Sequence, residues 1–156
     1  MTMKIEQKYW TKEEGWKTLS STLESKTPQL VLVFGGRALL ENEEHFKALK
    51  DSYPDSTILM SSTAGEIIDT MVRDDSLSVA ALHFEKSSLE FEQITIENGS
   101  ESEEKGSELA KKLPKEGLTH AMIFSDGLKV NGTNLVKGLI DNLPSNVSVT
   151  GGLVGD

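Results

Sequence analysis

Cysteine is absent from this 156-residue chain, and histidine occurs only three times. Without thiols there can be no disulfide scaffold, no thiolate nucleophile and no thiolate metal site, and such a composition suits a reducing compartment. Three scattered histidines make a transition-metal site unexpected, and the acidic stretch 97–104 lacks the alternating Asp and Asn ligands of a calcium loop. Basic side chains are also few, 16 against 25 acidic ones, and the formal charge of −9 repels phosphate backbones and anionic lipid alike. Neither nucleic acid binding nor membrane insertion is expected. No apolar run approaches the roughly 18 to 20 residues of a spanning helix, and the start of the chain is polar and mixed in charge rather than signal-like. A cytoplasmic protein is expected. Catalytic motifs are missing as well: there is no Gly-x-Ser-x-Gly elbow, no phosphate-binding Gly-rich loop ending in Lys-Ser/Thr and no His-Glu-x-x-His. An enzyme is therefore not expected, nor is a cofactor.

What is present is an alternation of helix-like and strand-like segments, in a chain long enough for one domain with an apolar core. Thr11-Lys12-Glu13-Glu14 has the form of a capping box, and Trp16, Leu19 and Leu23 follow at helical spacing before Thr27-Pro28. A first helix is expected there. The run from Leu30 to Phe34 is apolar, rich in β-branched residues and closed by Gly35-Gly36, which reads as a strand covered on both faces. Asn42 can cap a helix through about Lys50, and a second buried strand runs from Thr57 to Met60, so the two strands are expected to pair in parallel. Residues 76–85 and 88–97 are β-rich runs separated by Lys86-Ser87 and suggest an antiparallel hairpin, with a bulge near Gln93. Ser100 to Glu103 opens another helix, with Leu109 and Leu113 inward. A strand from His120 to Phe124, a helix striped by Leu135, Leu139 and Leu143, and a strand from Val147 to Thr150 complete the pattern. Glycosylation-type triplets beginning at Asn98, Asn131 and Asn146 read as turns and caps. The expected fold is α/β: a mixed, mainly parallel sheet flanked by helices with one antiparallel β-hairpin insertion, residues 1–156 forming a single domain.

Four strand ends carry small, hydroxylated or glycine residues: Gly35-Gly36-Arg37, Ser61 to Glu66, Ser125-Asp126-Gly127 and Thr150-Gly151-Gly152. At one edge of a parallel sheet such residues line a crevice where helix N-termini offer free amides. Arg37 and the amides after Ser61 could hold an anion, and Asp126 or Glu66 a cation. Ordinary turn chemistry explains the same residues equally simply, and Thr63 to Glu66 also fits a plain capping box. Ser125 or Ser62 as the nucleophile of a hydrolase or acyltransferase would need His45, His83 or His120 within reach. A protein-interaction module without a small-molecule ligand, suggested by the acidic surface, is the remaining alternative.

Leu-Val-Leu-Val-Phe-Gly-Gly at 30–36, Ser-Ser-Thr-Ala-Gly-Glu-Ile at 61–67, Leu-Ser-Val-Ala-Ala-Leu at 77–82, Phe-Ser-Asp-Gly at 124–127 and Gly-Gly-Leu-Val-Gly-Asp at 151–156 together resemble the FIST N domain, in the family's order. The resemblance implies a sensory role in intracellular signal transduction, recognition of a small polar ligand such as an amino acid, and a FIST C domain or signalling output domain as partner. Where the family often has Gly-Cys before Ser-Thr-Ala-Gly-Glu, this chain has Met60-Ser61, so thiol-dependent ligand chemistry is not available. The final glycine-rich run reads as a connection cut before a FIST C domain, and an exposed seam there would favour a homodimer. The ligand-binding residues expected are Arg37, Ser62, Thr63, Gly65, Asp126, Gly151 and Gly152, with no metal ligand and no catalytic residue.

Overall fold

The apolar run at 30–35 becomes strand β3 (Leu30–Gly35) of a computed structural model that describes residues 3–155. The chain packs as two compact units, divided between Leu89 and Glu90. In the first unit, β3 pairs in parallel with β4 (Thr57–Ser62), from Leu30 opposite Thr57 to Gly35 opposite Ser62. Between them lie a single turn, α1 (Arg37–Leu40), and helix α2 (Glu43–Ser52), whose first turn is capped by Asn42 accepting the Glu44 amide at 3.0 Å.

The N-terminal segment is not the helix expected. It forms an antiparallel hairpin of β1 (Met3–Thr11) and β2 (Gly15–Ser21), with Trp10 opposite Trp16. Thr11 Oγ1 does accept the Glu14 amide at 3.2 Å, the bond a capping box would make. Over those four residues a helix start and a hydroxyl-closed turn are alike. Gly15 decides between them, because its φ of +64° reverses the chain where a helix would need a negative φ.

The expected second hairpin is also replaced. Strand β7 (Leu77–Phe84) is paired along one edge with β1 and along the other with β3, both antiparallel, so a returning strand at 88–97 has no edge left to join. Those residues form no regular strand. The five-stranded sheet therefore runs β2-β1-β7-β3-β4, with β3–β4 its single parallel pair, and is mixed rather than mainly parallel. A two-stranded hairpin of β5 (Glu66–Ile68) and β6 (Met71–Arg73) precedes β7. Val31 and Val33 of β3, Leu77, Val79 and Ala81 of β7, and Leu49 and Tyr53 from α2 and its end make the core, each fully buried aliphatic side chain contributing about 1.5–3 kcal/mol.

In the second unit, a 3-10 turn (Gly99–Glu101) leads into α3 (Ser102–Lys112), followed by β8 (His120–Asp126), α4 (Gly132–Ile140) and β9 (Ser148–Val154). Strands β8 and β9 form a separate parallel pair. Asn98, not Ser100, caps the turn by accepting the Ser100 amide, and Asn131 caps α4 by accepting the Asn134 amide. Helices α3 and α4 meet through glycine: a Cβ on Gly138 would lie 2.1 Å from Glu103 O, and one on Gly106 would lie 2.4 Å from Leu135 O. Ala110, Leu135, Leu139 and Leu143 are buried there, with Ile96, Ile123 and Val149 packed against them. No helix among the described residues is long and apolar enough to cross a membrane.

His45 of α2 is 7% exposed and meets the rings of Trp10 at 4.3 Å and Trp16 at 6.0 Å, tying the helix to the N-terminal hairpin. Burial holds its imidazole below the ordinary value of 6.5, against the opposing charge of Glu44. The folded chain thus binds fewer protons than the unfolded one, and this contribution to stability is present at neutral pH and lost as pH falls below that value. Thermal unfolding should show a midpoint that drops between about pH 7.5 and about pH 5.5, with a slope of at most about 1.4 kcal/mol per pH unit from this group. His45→Phe should flatten that slope, and an unchanged slope would remove the assignment.

Candidate functional site

The pairing of β3 with β4 sets Gly35-Gly36-Arg37 beside Ser62-Thr63, and the Thr63 amide donates to Gly35 O at 3.1 Å. Gly35 is fixed by contact: a Cβ there would lie 2.4 Å from Leu77 Cδ2 and 2.7 Å from Ser76 O. Two features expected at this edge are missing. No helix begins after β4, since residues 63–65 lead into strand β5, and α1 is a single turn whose Leu39 and Leu40 amides already donate to Gly36 O.

Glu66, offered by the sequence as a cation ligand, lies inside, 2% exposed. Its Oε1 accepts Thr63 Oγ1–H at 2.7 Å, and its Oε2 accepts the Ser76 hydroxyl at 2.7 Å and the Ser76 amide at 3.3 Å. Thr63 to Glu66 has the letters of a capping box, but the carboxylate receives the hydroxyl and ties the entrance of β5 to the entrance of β7. Glu66→Ala would leave the buried Ser76 donors unmatched, at about 1–3 kcal/mol each. Denaturant unfolding should register a loss of at least about 2 kcal/mol, with Glu66→Gln losing less.

Arg37 is exposed and forms an ion pair with Glu41 one helical turn on, Nε to Oε1 at 2.8 Å. Ser62 and Gly65 are half-buried. Position 65 has φ +157°, and a Cβ there would lie 3.3 Å from Asp74 Oδ1, while one on Gly36 would lie 4.0 Å from Asp75 Oδ1. The two glycines therefore border the turn between β6 and β7. That turn opens on a cleft of about 340 Å³ lined by Thr11, Lys12, Glu13, Arg73, Asp74 and Asp75. From sequence Thr11 to Glu13 read only as part of a capping box, and Arg73, Asp74 and Asp75 were not singled out. Arg-Asp-Asp directly before a buried strand, a cation next to two anions at a strand entrance, is the signal that could have drawn attention.

Arg73 is the least satisfied group there. Its Nε is enclosed without an acceptor, its Nη2 lies 3.6 Å from Met71 Sδ and 3.9 Å from Glu14 Oε2, and its guanidinium sits 5.7 Å from the centre of the Tyr9 ring. No group of acidic or histidine side chains among the described residues could hold a metal ion.

The other expected ligand residues belong to the second unit, where each has a local duty. Asp126 Oδ1 accepts the amides of Leu128 and Lys129, both at 2.7 Å, and the Lys129 and Leu128 amides hold its carboxyl below the usual range. Gly151 and Gly152 lie within β9 rather than in a loop after it. A Cβ on Gly151 would fall 1.8 Å from Ile123 O, so only glycine lets β9 approach β8, whereas Gly152 has open space. Gly151→Ala should cost about 1–3 kcal/mol or more of stability and lower the unfolding midpoint, and Gly152→Ala should change it little, as circular dichroism melts can show. Between α3 and α4 lies an acidic groove of about 410 Å³ that includes Glu103, Glu104 and Asp141. Lys137 bridges Glu103 and Asp141 beside it.

None of the histidines serves Ser62 or Ser125. His45 is stacked on tryptophans, His83 Nδ1 lies 2.7 Å from Thr27 O, and His120 lies between Ser148 Oγ at 2.8 Å and Thr150 Oγ1 at 2.9 Å. The hydrolase alternative needs a histidine on Ser62 or Ser125, and among the described hydrogen bonds the serine–histidine contact, His120 with Ser148, involves neither.

The family model described as the FIST N domain matches residues 29–156. No curated protein and no solved structure matches the chain.

Proposed function

The chain belongs to the FIST N domain family, a sensory and signal-transduction family, and on that premise we propose that its first unit binds a small polar ligand, such as an amino acid, at the strand-end edge bordered by Arg37, Ser62, Thr63 and Gly65. The observation that carries this reading is the adjacency of that edge to an open polar cleft: Gly36 and Gly65 present bare backbone toward Asp75 and Asp74 at its rim. Asp126 and Gly151 have local duties in their own turn and strand, and the proposal draws the ligand contacts from the first unit. A FIST C domain or other output domain is the proposed receiver of the signal. A ligand transmits only if it binds one arrangement of the parts more tightly than another.

A thermal-shift screen of the chain against amino acids, small carboxylates, amines, sugars and nucleotides tests the reading. A selective rise is expected for one class, since a ligand present at about a hundred times its dissociation constant adds about 2.7 kcal/mol of stability. Silence across every class would overturn it.

A further inference from the structure

We propose that residues 88–97 are a second strand for the edge of β7 that β1 holds, so that the N-terminal hairpin and this segment exchange for one place in the sheet; the inference is independent of any ligand. The first observation is one of register. Strand β1 sets Ile5-Glu6-Gln7 opposite Leu82-Ala81-Ala80, antiparallel. If Lys86 and Ser87 close a two-residue hairpin, Glu85 faces Ser88, and the same three residues of β7 face Phe91-Glu92-Gln93, again antiparallel. An apolar residue, a glutamate and a glutamine thus stand at the same three places in either arrangement. The likeness extends to the core face, because side chains directly opposite each other share a face of the sheet. Val79 and Leu77, both buried, would meet Ile94 and Ile96 in place of Lys8 and Trp10. The Tyr53 hydroxyl donates to Glu6 Oε1, and Glu92 would bring an equivalent carboxylate to that position.

The second observation is which edge such a hairpin takes. Leu82 O accepts the Gln29 amide, and the Phe84 amide and carbonyl both bond the Gln29 side chain, so the backbone groups of residues 82 and 84 are turned toward β3. Backbone groups alternate in direction along a strand, and those of residues 81, 83 and 85 are therefore turned toward β1. The residues that flank a two-residue loop form a hydrogen-bonded pair, which places a strand returning from Glu85 and Ser88 on the edge of β1 and not on that of β3. At rest β1 prevails for two reasons. Lys86-Ser87 lacks the glycine or asparagine that favours the positive φ angles of such a turn, and Trp10 and Trp16 hold the N-terminal hairpin to His45. Residues 90–93 are meanwhile exposed. Exchange releases a hairpin bearing both tryptophans, an order-to-disorder change of the kind that switches use.

The test is disulfide trapping in the full chain, which has no cysteine of its own. Ala80 stands opposite Gln7 at rest and would stand opposite Gln93 after exchange, in a pair without mutual hydrogen bonds, where the Cβ atoms come close enough for a disulfide. Ala80→Cys/Gln93→Cys is held in a thiol–disulfide buffer beside Ala80→Cys/Thr95→Cys, whose second cysteine is two residues out of register. The expected result is an 80–93 crosslink within one chain, identified by peptide mass spectrometry, and no comparable 80–95 crosslink. Glu6→Ala withdraws the Tyr53 acceptor from β1 alone and should raise the rate of trapping about tenfold, whereas Glu92→Ala, at a position exposed at rest, should lower it by a similar factor. Melting curves establish that the variants fold, and Glu92→Ala carries the test if Glu6→Ala does not. Absence of the 80–93 crosslink, equal trapping of both cysteine pairs, a crosslink found only between copies, or a rate indifferent to Glu92→Ala overturns the proposal.

Discussion

Strand β7 gives one hydrogen-bonding edge to β1 and the other to β3, and a strand so placed accepts no third neighbour. That constraint organises the first unit. It draws the N-terminal hairpin into the sheet, since β1 supplies the partner that residues 88–97 would otherwise have provided, and it brings Trp10 and Trp16 to His45 of α2. It also sets Leu77 against Gly35, where no larger residue would fit. With β7 antiparallel to both neighbours, the sheet's one parallel pair is β3 with β4, and the strand-end edge of that pair is the place where three connections meet: Gly36 after β3, Thr63 to Gly65 after β4, and Asp74 to Ser76 before β7.

Those connections are held by a buried carboxylate rather than by apolar packing. Glu66 accepts three hydrogen bonds, two from Ser76 and one from Thr63, and so links the exit of β4 to the entrance of β7. A buried ion or acid is tolerable when its acceptor capacity is used, and costly otherwise. Because Glu66 is spent inward, the cation opposite it on the hairpin, Arg73, pairs instead with Glu14, Nη2 to Oε2 at 3.9 Å. The electrostatic character of the cleft thus follows from where one glutamate points.

The apolar strands were legible in the sequence because burial wrote them as continuous runs: Leu30 to Phe34 and Thr57 to Met60 appear where expected, as do α2, α3, α4 and β8. What was not legible turned on pairing, which a local pattern does not contain. Thr11 to Glu14 makes the hydrogen bond of a capping box, yet a left-handed Gly15 converts it to a turn. The β-rich composition of 88–97 was real, but strand formation depends on a free edge elsewhere in the sheet. The candidate site was half legible. The small residues at the ends of β3 and β4 do come together, whereas Asp126 and Gly151 turned out to answer local demands, an Asx-type turn and a close strand approach. Arg73 went unseen because its distinction, a donor without an acceptor, exists only after the other side chains have found theirs.

The β5–β6 hairpin has three residues per strand, and a two-stranded hairpin of that length is marginal by itself. It exposes Ile67 and Val72, 74% and 75% accessible and directly opposite each other, while Glu66 and Ile68 point inward. In the proposed reading, a ligand at the adjoining strand ends would transmit only if its affinity differed between arrangements of this hairpin. The same hairpin carries an exposed apolar pair, so its position also decides where that pair is presented to a partner.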